Sequence, residues 1–258
     1  MTKRRKFSDQ FKAKVAAKTR VGIRTEVIDA ARVRTIIPMI SDAIIAAAWC
    51  PAKDKINPLE ATPCLAQAAR VAGVVIEEFA PVTGITREGM GYLVETPRGR
   101  IAASGWSFQV AQSLGIHLPI RGAPLQMVVT APAPPLVPCL LAHADRHLTM
   151  KRTASGSVII GGAWPAITGP VGQSEILNDS LEGNLWVAAH TVPQVASLHV
   201  IRSWAAMNID MDGAPLIGPV PGFDGVTVVA TANGYTLGPL MGREAAAAAL
   251  SGRLRHFL

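Results

Sequence analysis

With 258 residues, 49% of them apolar, the chain can bury a sizeable core as one large domain or two small ones, and disorder throughout is excluded. The formal charge of +7 suggests a nucleic-acid partner only until it is located: eight of the 25 basic and one of the 18 acidic residues lie in residues 1–20, leaving seventeen of each sign elsewhere. The body is neutral and offers no electrostatic case for a polyanion. Cys50, Cys64 and Cys139 are odd in number and widely spaced. That pattern fits a reduced, cytoplasmic setting and supplies no metal spacing.

Residues 1–20, MTKRRKFSDQFKAKVAAKTR, resemble the first helix of an insertion-sequence transposase. The turn and recognition helix of a helix-turn-helix do not follow, and one basic helix touches phosphate without reading bases. The segment is read as a solvated tail, with DNA binding as the alternative. Thr25 to Thr35 then has helical spacing and stops before Pro38. Thr62 and Pro63 open a helix that Gly73 closes, and Val74-Val75-Ile76 predicts a strand. Val82 to Ile85 and Tyr92 to Thr96 flank a glycine-bearing turn; Arg98-Gly99 makes a second turn before Ile101. Gln109 to Leu114 reads as a short helix and Leu125 to Thr130 as a strand. Pro124 to Ala144 carries no charge, but its five prolines argue for a strand and an extended crossing instead of a membrane span. Leu148 to Lys151 and Ser157 to Ile160 form a predicted hairpin through Ser155-Gly156, and Pro165 to Asn184 a loop with a short helix. His143 and His147 are four apart, a spacing that on a helix could face one metal, but no third ligand is evident and none is predicted.

The last third is the most informative. Asp212-Gly213 is a turn pair, Val226 to Ala230 a buried strand, and Asn233-Gly234-Tyr235-Thr236-Leu237-Gly238-Pro239 a glycine loop with Pro239 at the first helical position. A helix start behind such a loop presents free N–H groups to an electron-rich ligand. Trp204, seven residues, Asp212-Gly213-Ala214-Pro215-Leu216-Ile217-Gly218, a strand, and Asn233-Gly234 to Pro239 together resemble the C-terminal part of the FAD-dependent amine and amino-acid oxidases, of the D-amino-acid, glycine and sarcosine oxidase kind.

The resemblance implies an α/β (α+β) fold: part of an FAD-binding domain beside a large antiparallel substrate-domain sheet. On this reading residues 1–20 are the tail, residues 21–116 and 201–258 the FAD-binding part, and residues 117–200 the substrate-binding part. Val82 is placed at the adenine, and Ala103-Ser104-Gly105-Trp106-Ser107 beneath the flavin; that motif is one residue short between Gly105 and Trp106 and lacks the strand expected before it. Asn233, Gly234, Tyr235, Thr236 and Leu237 lie at the pyrimidine end of the ring. His147 falls near the strand lining the substrate cavity, and Met207 stands where many relatives carry a carboxylate-binding arginine. The implied reaction passes hydride from the carbon of a small amine or amino acid to flavin N5, with no catalytic side chain required. The expected dinucleotide fingerprint is missing: the sole Gly-x-Gly is Gly89-Met90-Gly91, in a turn. The chain is therefore read as N-terminally truncated, with weakened FAD binding and self-association through bared apolar surface. An inactive remnant or interaction protein is the alternative.

Overall fold

The computed structural model describes residues 15–16, 20, 22–52, 55–89, 91–103, 115–118, 121–170, 172–210 and 214–251. These fall into two compact units, one from Met1–Lys55 and Pro124–Met207, the other from Ile56–Ala123 and Asn208–Leu258.

The first unit is built on a five-stranded sheet. Its strands are β6 (Arg121–Pro132), β7 (Leu141–Ala142), β8 (Thr149–Arg152), β9 (Ser157–Pro165) and β12 (Val200–Asp210), in the order β12-β6-β9-β8-β7. The β8–β9 hairpin turns at Gly156, whose φ of 95° is open to glycine. Thr153 N donates to Ser157 O at 2.8 Å beneath that turn. Strand alternation sends Val128, Met150, Val158 and Ile160 to one face, where they form a core with Val187, Ala188 and Val192.

Val187 and Ala188 belong to helix α3 (Asn178–Thr191), which lies on that face. Leu177, its N-cap, has no capping side chain of its own. Buried Gln126 of β6 replaces it, accepting from Leu177 N at 2.9 Å and donating to Leu177 O at 3.2 Å. Asn184 Nδ2, also buried, donates to Gly161 O of β9 at 3.1 Å. The proline-rich, charge-free stretch after β6 crosses without helix and buries Leu136 and Val137. Between β9 and α3 a short hairpin pairs β10 (Ile167–Thr168) with β11 (Ser174–Glu175).

Residues 25–35 depart from the helical expectation. They form β1 (Glu26–Asp29), paired antiparallel with β2 (Ala46–Trp49), and then helix α1 (Ala30–Ile36). Asp29 divides them, because its carboxylate accepts from Arg32 N at 2.8 Å and caps the helix. Ile28, Val33, Ile37 and Ile40 then pack against Cys139 and Leu141.

The second unit holds helix α2 (Pro58–Val71), the antiparallel sheet β3 (Gly84–Glu88), β4 (Gly91–Thr96) and β5 (Gly99–Ala103), the pair β13 (Leu216–Pro219) and β14 (Thr227–Ala230), and helix α4 (Gly234–Ser251). Asn57 caps α2 through Leu59 N at 3.2 Å. Tyr92, Ile116 and Val226 centre its small core.

Four expectations change here. Thr62 and Pro63 do not open α2 but lie inside it, since the helix starts at Pro58 behind Asn57. Val74-Val75-Ile76 belongs to no strand among the described residues; Val74 N instead caps α2 by donating to Ala69 O. Conversely, the strand thought missing before Ala103 exists as β5, since the Arg98-Gly99 turn returns the chain along β4. Helix α4 begins at Gly234, so Pro239 is inside it and not at its first position.

Candidate functional site

The early start of α4 changes what Asn233 to Leu237 are. They are not a loop in front of a helix but its first turn. Thr231 Oγ1 accepts from Asn233 N at 3.0 Å, and the Asn233 carbonyl accepts from Thr236 N and Leu237 N at 3.0 and 2.8 Å. The N–H groups of Gly234 and Tyr235 precede the first N–H that finds an intrahelical acceptor, that of Thr236, and carry the positive end of an 18-residue helix. A Cβ added at Gly234 would meet nothing within 4 Å.

The turn is held from two sides. Met241, Glu244 and Ala248 recur at helical spacing as the buried face of α4, which packs on β13 and β14. Tyr235 Oη donates to the Pro58 carbonyl at 3.3 Å, which leaves the Thr62 hydroxyl as donor in their 2.9 Å bond. The first turn of α4 is thus tied to the first turn of α2. Thr62 was legible in the sequence only as a cap, and nothing local linked it to Tyr235.

Val82 is half-buried just before β3, where Thr83 N extends the hairpin by donating to Glu95 O at 2.8 Å. Ser104, Gly105 and Trp106 lie outside the described residues. The Tyr92 hydroxyl is buried without a hydrogen-bond partner.

In the first unit, residues 143–147 form a turn, so the two histidines do not share a helical face. His143 Nδ1 accepts from Asp145 N and Arg146 N, both at 3.1 Å, and His143 N donates to Leu148 O at 3.1 Å. Burial pulls the His143 imidazole below the usual histidine range; Asp145 opposes this and Arg146 adds to it. No metal-binding cluster occurs among the described residues. His147 is exposed at the end of this turn, directly before β8. Beyond it Leu148 and Met150 enter the core with α3, so Thr149 and Lys151 face the other side of the sheet. Lys151 is lowered by burial and then by Lys55.

Met207 is exposed near the end of β12. Strands β6 and β9 separate it from β8, and three inter-strand spacings set a gap of about 14 Å between the two strands. His147 and Met207 therefore do not touch. Arg202, also on β12, has its guanidinium 5.9 Å from the Trp204 ring centre. In the sequence Trp164 reads only as packing; in the structure Trp164 and Gly162 lie against the backbone of His147 and Gly183 lies against the Trp164 ring, and a paired glycine inside a strand pattern was the available signal.

A family model described as FAD dependent oxidoreductase matches residues 3–248. The sarcosine oxidase subunit beta of Rhizobium meliloti (strain 1021) is 32% identical over 172 residues, 60% of this chain and 39% of that protein. The glycine oxidase of Pseudomonas aeruginosa is 29% identical over 179 residues, covering 66% of this chain and 48% of its own length. The chain thus spans less than half the length of these two relatives. Among solved structures, L-proline dehydrogenase from P. horikoshii superposes with a TM-score of 0.83 at 22% identity, over 96% of this chain and 71% of that one. Glycine oxidase from Geobacillus kaustophilus gives 0.80 at 19%, over 96% and 68%. The expected mixed α/β architecture with antiparallel sheets is the one these structures share.

Proposed function

This chain belongs to the family of FAD dependent oxidoreductases, and from that premise we propose that it carries the ring-side and substrate-side elements of an enzyme that oxidises a small amine or amino acid. The single observation that carries the reading is the start of α4, where Gly234 and Tyr235 offer unspent N–H donors at a helix terminus tied to α2. Such a terminus favours a group that gains negative charge. Flavin, when bound, supplies the electron-accepting ring; this chain's part is to hold the ring and orient the substrate.

The residues fit the two ends of the cofactor unequally. The helix start suits the ring, with Asn233 to Leu237 around it, Val82 toward the adenine, and Ser104, Gly105 and Trp106 assigned by their motif alone. Among the described residues the pyrophosphate has no counterpart: Gly89 and Gly91 sit at the β3–β4 turn and open no helix. Each charge-assisted bond missing there costs roughly 1.5–3 kcal/mol, so FAD binding by this stretch of chain is weak. On the substrate side, His147 contacts the amine or amino acid and Met207 lines the same region without supplying a charge. All the cofactor positions fall in the unit of Ile56–Ala123 and Asn208–Leu258, and both substrate positions in the other.

Fluorescence titration with riboflavin and with FAD tests this. The two should bind with affinities within about tenfold of each other, because the ring is gripped and the phosphates are not. Tight FAD binding with riboflavin ignored would overturn the assignment of α4. Among the described residues no helix is long and apolar enough to cross a membrane.

A further inference from the structure

Strand β9 carries a local excess of residues opposite β6. On its β6 side the ladder passes from Gln126↔Trp164 to Val128↔Ile160, two steps on β6 against four on β9. On its β8 side the pairing ends at Thr149↔Gly161. The excess lies in Gly161-Gly162-Ala163, with Gly162 at φ 127° and Ala163 at φ 63°. A non-glycine in the left-handed region persists only where its surroundings hold it there, and bulges of this kind re-aim the next side chain along the strand.

That side chain is Trp164. Its indole N–H donates to the carbonyl of His147. Its six-membered ring lies against Gly183 of α3, where an added Cβ would fall 2.6 Å from Cζ3. Gly162 closes on the same corner: a Cβ there would stand 2.5 Å from Leu148 Cα and 2.7 Å from the His147 carbonyl carbon. The corner's other end is closed by His143 N donating to Leu148 O. The His147 backbone is therefore served by a side chain, at the point where the β8–β9 ladder has stopped.

We propose that Trp164 is a positioning residue, whose N–H, aimed by the Gly161-Gly162-Ala163 bulge and braced on Gly183, sets the direction in which the His147 imidazole meets the substrate. This rests on the reading of His147 as a substrate contact. Packing alone would need the ring and the glycine beneath it; it would not need the indole nitrogen to reach that carbonyl.

The test uses the full chain with flavin present and titrates glycine, sarcosine and L-proline by calorimetry. Trp164→Phe keeps the ring and removes the donor. It should weaken binding about tenfold, His147→Gln should do likewise, and the double variant should bind no worse than His147→Gln alone. Amide exchange at 147–148 should accelerate in Trp164→Phe while the Val158 to Ile160 amides keep their protection. Additive losses, or a Trp164→Phe protein that binds and exchanges like wild type while His147→Gln is impaired, would overturn the proposal and leave the His147 reading standing. A wild-type chain that binds none of the three, or a His147→Gln variant that binds normally, removes that reading and the proposal with it. If Trp164→Phe fails to fold, Gly183→Ala, whose methyl would stand 2.6 Å from Trp164 Cζ3 and push the ring aside, enters the same cycle with the same expected outcome.

Discussion

At the scale of single residues, the region around His147 depends on atoms that are absent as much as on those present. Gly162→Ala adds a Cβ at a φ of 127° and drives it into the Leu148 backbone. Gly172→Ala also falls at a positive φ, 84°, with nothing within 4 Å. The second substitution should cost about 1 kcal/mol for conformation alone, the first about 2–3 kcal/mol or more. Paired denaturant melts separate the two contributions. His143 supplies the pH-dependent member of this group. As an acceptor of two N–H bonds it must be neutral, and burial holds its folded value below 6.5. Its contribution to stability is complete above pH 6.5 and is lost as pH falls through that lowered value. His143→Asn keeps an acceptor without titrating and should flatten the decline in stability on the acid side of 6.5. An unchanged pH profile in that variant would remove His143 as its source.

At the scale of elements, two helices owe their starts to distant partners. Helix α3 is capped by Gln126, 51 residues before Leu177. Gln126→Leu would leave the Leu177 N–H unmet, while its carbonyl keeps the bond from Leu181 N, and should destabilise by about 1–3 kcal/mol. Exchange at the first turn of α3 should rise before any other part of the first unit opens. Helix α4 is joined to α2 through Tyr235, Thr62 and Pro58, 173 and 177 residues away. The bonded partners are exposed, so Tyr235→Phe should cost only about 0.5–1 kcal/mol. These links explain the largest misplacement from sequence. Pro239 reads as a helix start because a proline inside a helix loses a bond. Yet the packing of Met241, Glu244 and Ala248 on β13 and β14, with Thr231 and Asn233 closing the turn, carries the helix back to Gly234. By contrast, the β8–β9 and β3–β4 hairpins were legible residue by residue, since local alternation and a turn glycine determine them.

At the scale of the whole molecule, the second unit leaves large apolar side chains in solvent. Phe79 is 91% exposed, Leu250 90%, and Val71 and Val75 79% each. Helix α2 buries none of its residues. Apolar surface of this kind is the ground for expecting self-association. Light scattering behind size-exclusion chromatography should show mass rising with protein concentration, and Val75→Lys with Phe79→Lys should shift the population toward monomer. A monomer at every concentration would dismiss the expectation. The same region shows why Val74-Val75-Ile76 was legible as a strand yet is not one: β-branched residues favour extended backbone, but a ladder needs a partner, and none of the described residues supplies it.

The order of motifs along the chain established the family, the mixed α/β class, the hairpins and the neutral body, because these follow from local periodicity, turn chemistry and charge count. It also marked Asn233 to Leu237 and His147 as positions of interest. Only the tertiary structure decided that the former are a helix's first turn, that Asp29 splits a strand from a helix, and that Trp164 holds the backbone of His147 across a bulge. Each of those depends on a hydrogen bond or a close approach whose outcome is settled by packing, and packing is not a property of any local window of sequence.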